Sequence, residues 1–209
     1  MKTFLLAIIA LLSVSVVQAG DLFKGTITYN VLGPGARGLN VLSLLGDGSL
    51  IRLDVIMTER TLSVIRNPET KTLIVLIPER KMAMSVAETK SMNGMGFAGD
   101  ETGVPVHTIS KEIVQILGHD THLETVVYPN GNKVEAWVAN DLGMFSIPDS
   151  FAGSMKTWAN TKGVPLRVVK WENGAETVRL EASVATSKTP DTALFVVPSD
   201  YQQAAMPQR

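Results

Sequence analysis

The chain has 209 residues, a formal net charge of −1 at pH 7 and no cysteine. It carries no basic stripe or Lys/Arg run, so nothing in it is built for nucleic acid or another polyanion. Disulfides and thiol catalysis are both excluded.

The N-terminus reads MKTFLLAIIALLSVSVVQAG. Lys2 is a short positive region, Phe4 to Val17 is almost unbroken apolar sequence, and Val17 and Ala19 place small residues before a cleavage point at Ala19-Gly20. This is the three-part pattern of a secretory signal peptide, predicted over 1–19. The apolar run is shorter than the roughly 20 residues that span a bilayer comfortably. No later segment is long and apolar enough to cross, so the expected product is a periplasmic or secreted protein with no transmembrane segment after cleavage. The remainder is long enough to bury a core without staples. It is expected to form a single domain over 20–198 with a loose polar tail at 199–209.

Period-two alternation dominates the chain beyond Gly20. Phe23, Gly25, Ile27, Tyr29 and Val31 fall on one face of a strand, and Lys24, Thr26, Thr28 and Asn30 on the other. Ile51, Leu53, Val55 and Met57 repeat the pattern, as do Val178, Leu180, Ala182 and Val184. TLIVLI, Thr72 to Ile77, is apolar on both faces and is expected to be covered on both sides. In KMAMSV, Met82, Met84 and Val86 share the face predicted to point inward. HTISKEIVQILGH suits either a helix or a strand, and its β-branched content favours the strand. Asn130-Gly131 and Asn173-Gly174 lie between apolar runs as hairpin signals. Short links between neighbours imply an antiparallel meander of about ten strands, which must curl or close to protect its edges.

Two segments break the alternation. Residues 88–103 are rich in Gly and Met, with Met92, Met95 and Phe97. In 148–163, Phe151, Met155, Trp158 and Ala159 recur on one helical stripe, which predicts a short amphipathic helix laid on the sheet as a lid.

The order of these features resembles a known family. FKGTITYNV, IRLDV, TLIVLIPERKMAMSV, ILG before a strand, EAWVANDLG, GVPLRVV and DTALFVVPSDYQ occur in the order seen in the bacterial envelope family called domain of unknown function four-four-one-two. That family is distantly similar to the lipoprotein carriers LolA and LolB. The resemblance implies an all-β fold with minor α: a half-barrel like LolA/LolB around an apolar cavity. It implies no active site. Few residues separate Gly20 from the first strand, so the carriers' N-terminal lid helix has no room.

Residues able to carry chemistry are few. No G-x-S-x-G elbow, H-E-x-x-H pair or phosphate-binding glycine loop is present, so no enzyme and no cofactor is expected. His119 and His122 are the alternative metal ligands, but on a strand they point to opposite faces. Met82, Met84, Met92 and Met95 carry soft sulfurs of the kind that suit Cu(I). The same methionines, with Phe97, Phe151, Met155 and Trp158, are the residues expected to line an apolar ligand, because methionine adapts to variable partners. Methionine serves equally as core filler, which would make the interior a packed one. Trp137, on the face of Lys133 and Glu135, covers the outer surface or a partner contact. The leading expectation is an exported, non-enzymatic protein that binds an acyl chain, lipid or lipoprotein-like apolar ligand, with an apolar small molecule or a lipidated protein as partner. The alternatives are periplasmic copper handling through Met and His, or a packed protein-interaction module.

Overall fold

The computed structural model describes residues 22–36, 38–67, 69–87, 104–144 and 163–205. The predicted signal peptide, the Gly/Met segment 88–103 and the predicted lid helix up to residue 162 lie outside the described residues. Twelve strands are described: β1 Lys24–Leu32, β2 Leu39–Asp47, β3 Ile51–Met57, β4 Thr61–Asn67, β5 Thr72–Ile77, β6 Met82–Ala87, β7 Val106–Ile116, β8 His119–Val127, β9 Lys133–Ala139, β10 Val164–Glu172, β11 Ala175–Thr186 and β12 Gln202–Ala205. The region that suited either a helix or a strand is β7.

All twelve belong to one sheet in the order β12-β6-β5-β4-β3-β2-β1-β11-β10-β9-β8-β7. It is an open, curled sheet and not a closed barrel, so of the two outcomes the alternation allowed it curls rather than closes. Two antiparallel meanders, β1–β6 and β7–β11, join where β1 pairs with β11, from Thr26 opposite Thr186 to Leu32 opposite Arg179. Backbone approach is tightest at that seam. A Cβ on Gly25 would sit 1.9 Å from the Thr186 carbonyl oxygen, and its φ of +143° is one that L side chains avoid.

The hairpin signals resolve differently from one another. Asn173 and Gly174 both take positive φ, +53° and +79°, as a two-residue primed turn demands. At Asn130-Gly131 only Gly131 does, at +82°, and its N–H bonds the Tyr128 carbonyl at 2.9 Å. Pro129 is the reason: its ring fixes a negative φ at the second turn position, so the turn starts one residue earlier and glycine alone supplies the positive angle.

The expected loose tail is corrected over part of its length. Residues 202–205 form β12, which pairs parallel with β6 from Gln202 opposite Met82 to Ala205 opposite Ser85. The chain reaches β6 by crossing one face of the first meander. Phe195, 4 % exposed, packs with Leu45, Ile65, Leu76 and Ala83, with Val197 and Tyr201 against the same cluster. Arg52 donates to the Leu194 carbonyl at 2.6 Å, the Gln202 N–H donates to the Lys81 carbonyl at 2.8 Å, and Lys81 pairs with Asp200 at 2.9 Å. This crossing segment covers one face of TLIVLI. Leu73 and Val75 are buried on the other.

Candidate functional site

The strand registers place one continuous apolar face opposite the crossing segment. Across the first meander, Met84, Val75, Val64, Leu53, Leu44 and Ile27 are successive partners. The row Val31, Leu180, Val168, Ala136 and Glu124 continues it through the second. One cluster spans both meanders, from Leu44 and Ile27 to Val168 and Ala136, and Leu62 packs against it and against Val64, Leu73 and Val75, so they form one surface.

The sheet curls towards this face. Tyr29 on β1 donates its hydroxyl to the Pro165 carbonyl on β10 at 2.6 Å, with β11 between them. Strands lie about 4.8 Å apart, so two spacings exceed what an upright phenol spans in a flat sheet. Pro165 precedes the first β10–β11 pair, Arg167 opposite Glu181, so the phenol reaches it past the end of that ladder. Burial pushes the Tyr29 phenol well above its ordinary range.

At the β8 end the apolar face meets one polar cluster. Glu124 is 4 % exposed and is the one charged residue that is buried among the described residues. One carboxylate oxygen accepts from Nε2 of His122 at 2.9 Å, and the other from Nε2 of His107 on β7, also at 2.9 Å. A buried carboxylate is tolerated when its oxygens are taken by donors. The Asn140 side-chain amide donates to Nδ1 of His122 at 3.4 Å. His107 arrives because β7 has a register shift between Ile109 and Ile113, opposite Glu124 and His122. Those two isoleucines lie on the apolar face and are 61 % and 58 % exposed, so the face is open to water along β7.

The predicted site residues fall unevenly on this geometry. Met82 and Met84 share a face of β6 and are half-buried, and Met84 packs against Val64, Leu73 and Val75. Met92, Met95, Phe97, Phe151, Met155 and Trp158 lie outside the described residues. His119 and His122 are not brought together: His119 Nδ1 bonds Asp141 at 2.7 Å, while His122 turns to Glu124. Among the described residues no group of three His, Cys, Asp or Glu is placed to hold a metal ion. Sequence reasoning missed Glu124 and His107 as partners. Trp137 lies on the outer face with the Arg167 guanidinium 5.2 Å from its ring centroid, and Trp171 donates to Glu135 at 2.9 Å. No helix among the described residues is long and apolar enough to cross a membrane.

A family model described as domain of unknown function (DUF4412) matches residues 23–201. The chain belongs to this family. No curated protein matches it. Among solved structures, an uncharacterized conserved protein from Thermus thermophilus is 10 % identical, covering 87 % of this chain and 91 % of its own, with a TM-score of 0.53. That likeness is one of fold. A LolA superfamily protein from Nitrosomonas europaea is 12 % identical over 84 % of this chain and 90 % of its own, with a TM-score of 0.32. PNGF-II, in its C2 crystal form, is 16 % identical over 88 % of this chain with a TM-score of 0.48, and this chain spans only 31 % of its length.

Proposed function

We propose that this DUF4412 chain is an exported, non-enzymatic envelope protein that holds an acyl chain, a lipid or a lipid-modified protein against the inner face of its curled sheet. The observation that carries the reading is the continuous apolar face from Met84 on β6 to Ala136 on β9, buried along most of that length and reaching water beyond it at Ile109 and Ile113 on β7. Exposed apolar side chains such as those two, at the end of a buried apolar face, support a ligand or partner site there. Export rests on the N-terminal pattern that ends at Ala19-Gly20. Copper handling gains nothing from the geometry, since His119 and His122 are each held by a different carboxylate.

Native mass spectrometry of the protein purified from its own envelope fraction tests this. A co-purifying lipid or acyl adduct is expected, together with a lipid-dependent rise in melting temperature. An adduct-free protein whose melting temperature ignores added lipid overturns the proposal.

A further inference from the structure

The polar cluster at the end of the apolar face constrains what an apolar ligand carries at its other end. A carboxylate has no hydrogen to donate, so the ring nitrogens of His107 and His122 that face Glu124 must both carry one. Each neutral ring then has its second nitrogen as an acceptor. In His122 that acceptor is already used by Asn140. In His107, whose side chain is 37 % exposed, the second nitrogen has no bond among the described residues. The carboxylate accepts two hydrogen bonds and has room for about four. With both rings neutral the cluster therefore carries one negative charge and offers acceptors only.

Among the described residues no permanent cation neutralises it. The bonds of Glu124 are the two to imidazole. Lys170, on the same face of β10, pairs with Glu172 at 2.9 Å. The other charged side chains near this end lie elsewhere: His119 and Asp141 pair with each other, and Asp120 accepts from Gln115. Around the cluster the face is apolar, with Ala136 and Val138 opposite Glu124 and His122 on β9, and Ile109 and Ile113 opposite them on β7.

We propose that this cluster receives the polar end of the ligand and that this end is a hydrogen-bond donor bearing positive charge, namely a primary ammonium group on an alkyl chain. The chain lies against Ile109 and Ile113 at the open end of the apolar face, and the ammonium donates to the exposed ring nitrogen of His107, whose other nitrogen is held by the Glu124 carboxylate. An anionic end, carboxylate or phosphate, meets like charge and acceptors and is disfavoured. This rests on the reading of the inner face as a ligand site.

The test uses the full mature chain at pH 8, where an alkylamine with a pKa near 10 still carries its charge. Dodecylamine, dodecanol and dodecanoate, each below its micelle concentration, are compared by isothermal titration calorimetry. Dodecylamine is expected to bind roughly tenfold or more tightly than dodecanoate, the factor that one charge-assisted hydrogen bond supplies. Glu124→Gln should erase that preference while dodecanol binding persists. His107→Gln, at a more exposed position, should reduce it. Dodecanoate binding as tightly as dodecylamine to the unmodified protein overturns the inference but leaves the apolar site standing. If none of the three binds, the apolar-ligand reading falls and this inference falls with it.

Discussion

Tyr29 and Pro165 stand 136 residues apart in the chain and are joined by a 2.6 Å hydrogen bond inside the apolar face. The bond ties one meander to the other across β11, and it is buried. Tyr29→Phe removes the donor and leaves the Pro165 carbonyl without its partner. It should destabilise the protein by about 1–2 kcal/mol. Urea denaturation checks this, and an unchanged midpoint would show that the bond contributes nothing.

The same residue predicts an alkaline limit. Burial raises the Tyr29 phenol in the folded protein above its value in the unfolded chain. Its contribution is therefore full below the ordinary tyrosine value near 10 and is lost as pH rises beyond it, because the unfolded chain then releases a proton that the folded one keeps. Melting temperature should fall above that pH in the wild type and fall less steeply in Tyr29→Phe.

Asp47 makes the opposite prediction at low pH. Burial pushes its carboxyl up, but the N–H groups of Leu50 and Ser49, at 2.6 and 2.7 Å, and the Ser49 hydroxyl outweigh that and hold it below the usual range. Its contribution is present above the unfolded value near 3.9 and is lost as pH falls through the depressed one. Asp47→Ala should cost about 1 kcal/mol at neutral pH by opening the β2–β3 turn. Asp47→Asn, which keeps an acceptor, should cost less and flatten the acid limb of the stability curve.

The two histidines of GHDTH should differ sharply. His122→Ala strips one donor from a buried carboxylate and is expected to cost about 1–3 kcal/mol. His119 pairs with Asp141, whose side chain is 59 % exposed, and His119→Ala should stay within about 0.5 kcal/mol. Equal losses measured by chemical denaturation would contradict the assignment of Glu124 as the buried partner.

Phe195 is the anchor of the crossing segment. Phe195→Ala should cost about 3 kcal/mol if the segment stays in place. If the segment detaches, the Gln202 amide should lose its protection from hydrogen exchange while the amides of β9 and β10 keep theirs.

The local parts of this architecture are readable from the sequence. Alternation in FKGTITYNV, IRLDVIM and VRLEASV predicts β1, β3 and the second half of β11, and the apolar run at 72–77 predicts a strand covered on both faces. What covers one of those faces is not readable. Phe195 meets Leu45, Ile65 and Leu76 through a crossing that no periodicity encodes, and SDYQQAA has the polar look of a tail because β12 depends on the backbone of β6 rather than on side chains. The polar cluster is half legible. Period two puts His122 and Glu124 on one face of β8, but it does not say that this face is buried. Nor does it bring in His107, whose place is set by the register shift in β7.

The seam between β1 and β11 also governs the order of assembly. Each meander pairs strands that follow one another in sequence, most of them through short links that close quickly. The seam pairs Thr26 with Thr186, and its loop-closure entropy must be met before any of its contacts form. The first strand of the sheet thus waits for nearly the last one to be synthesised, and the native topology is reached late. A nascent chain still lacking β11 has β1 as a bare edge, so the step that commits this protein to its fold is also the step at which a holding chaperone would have to let go.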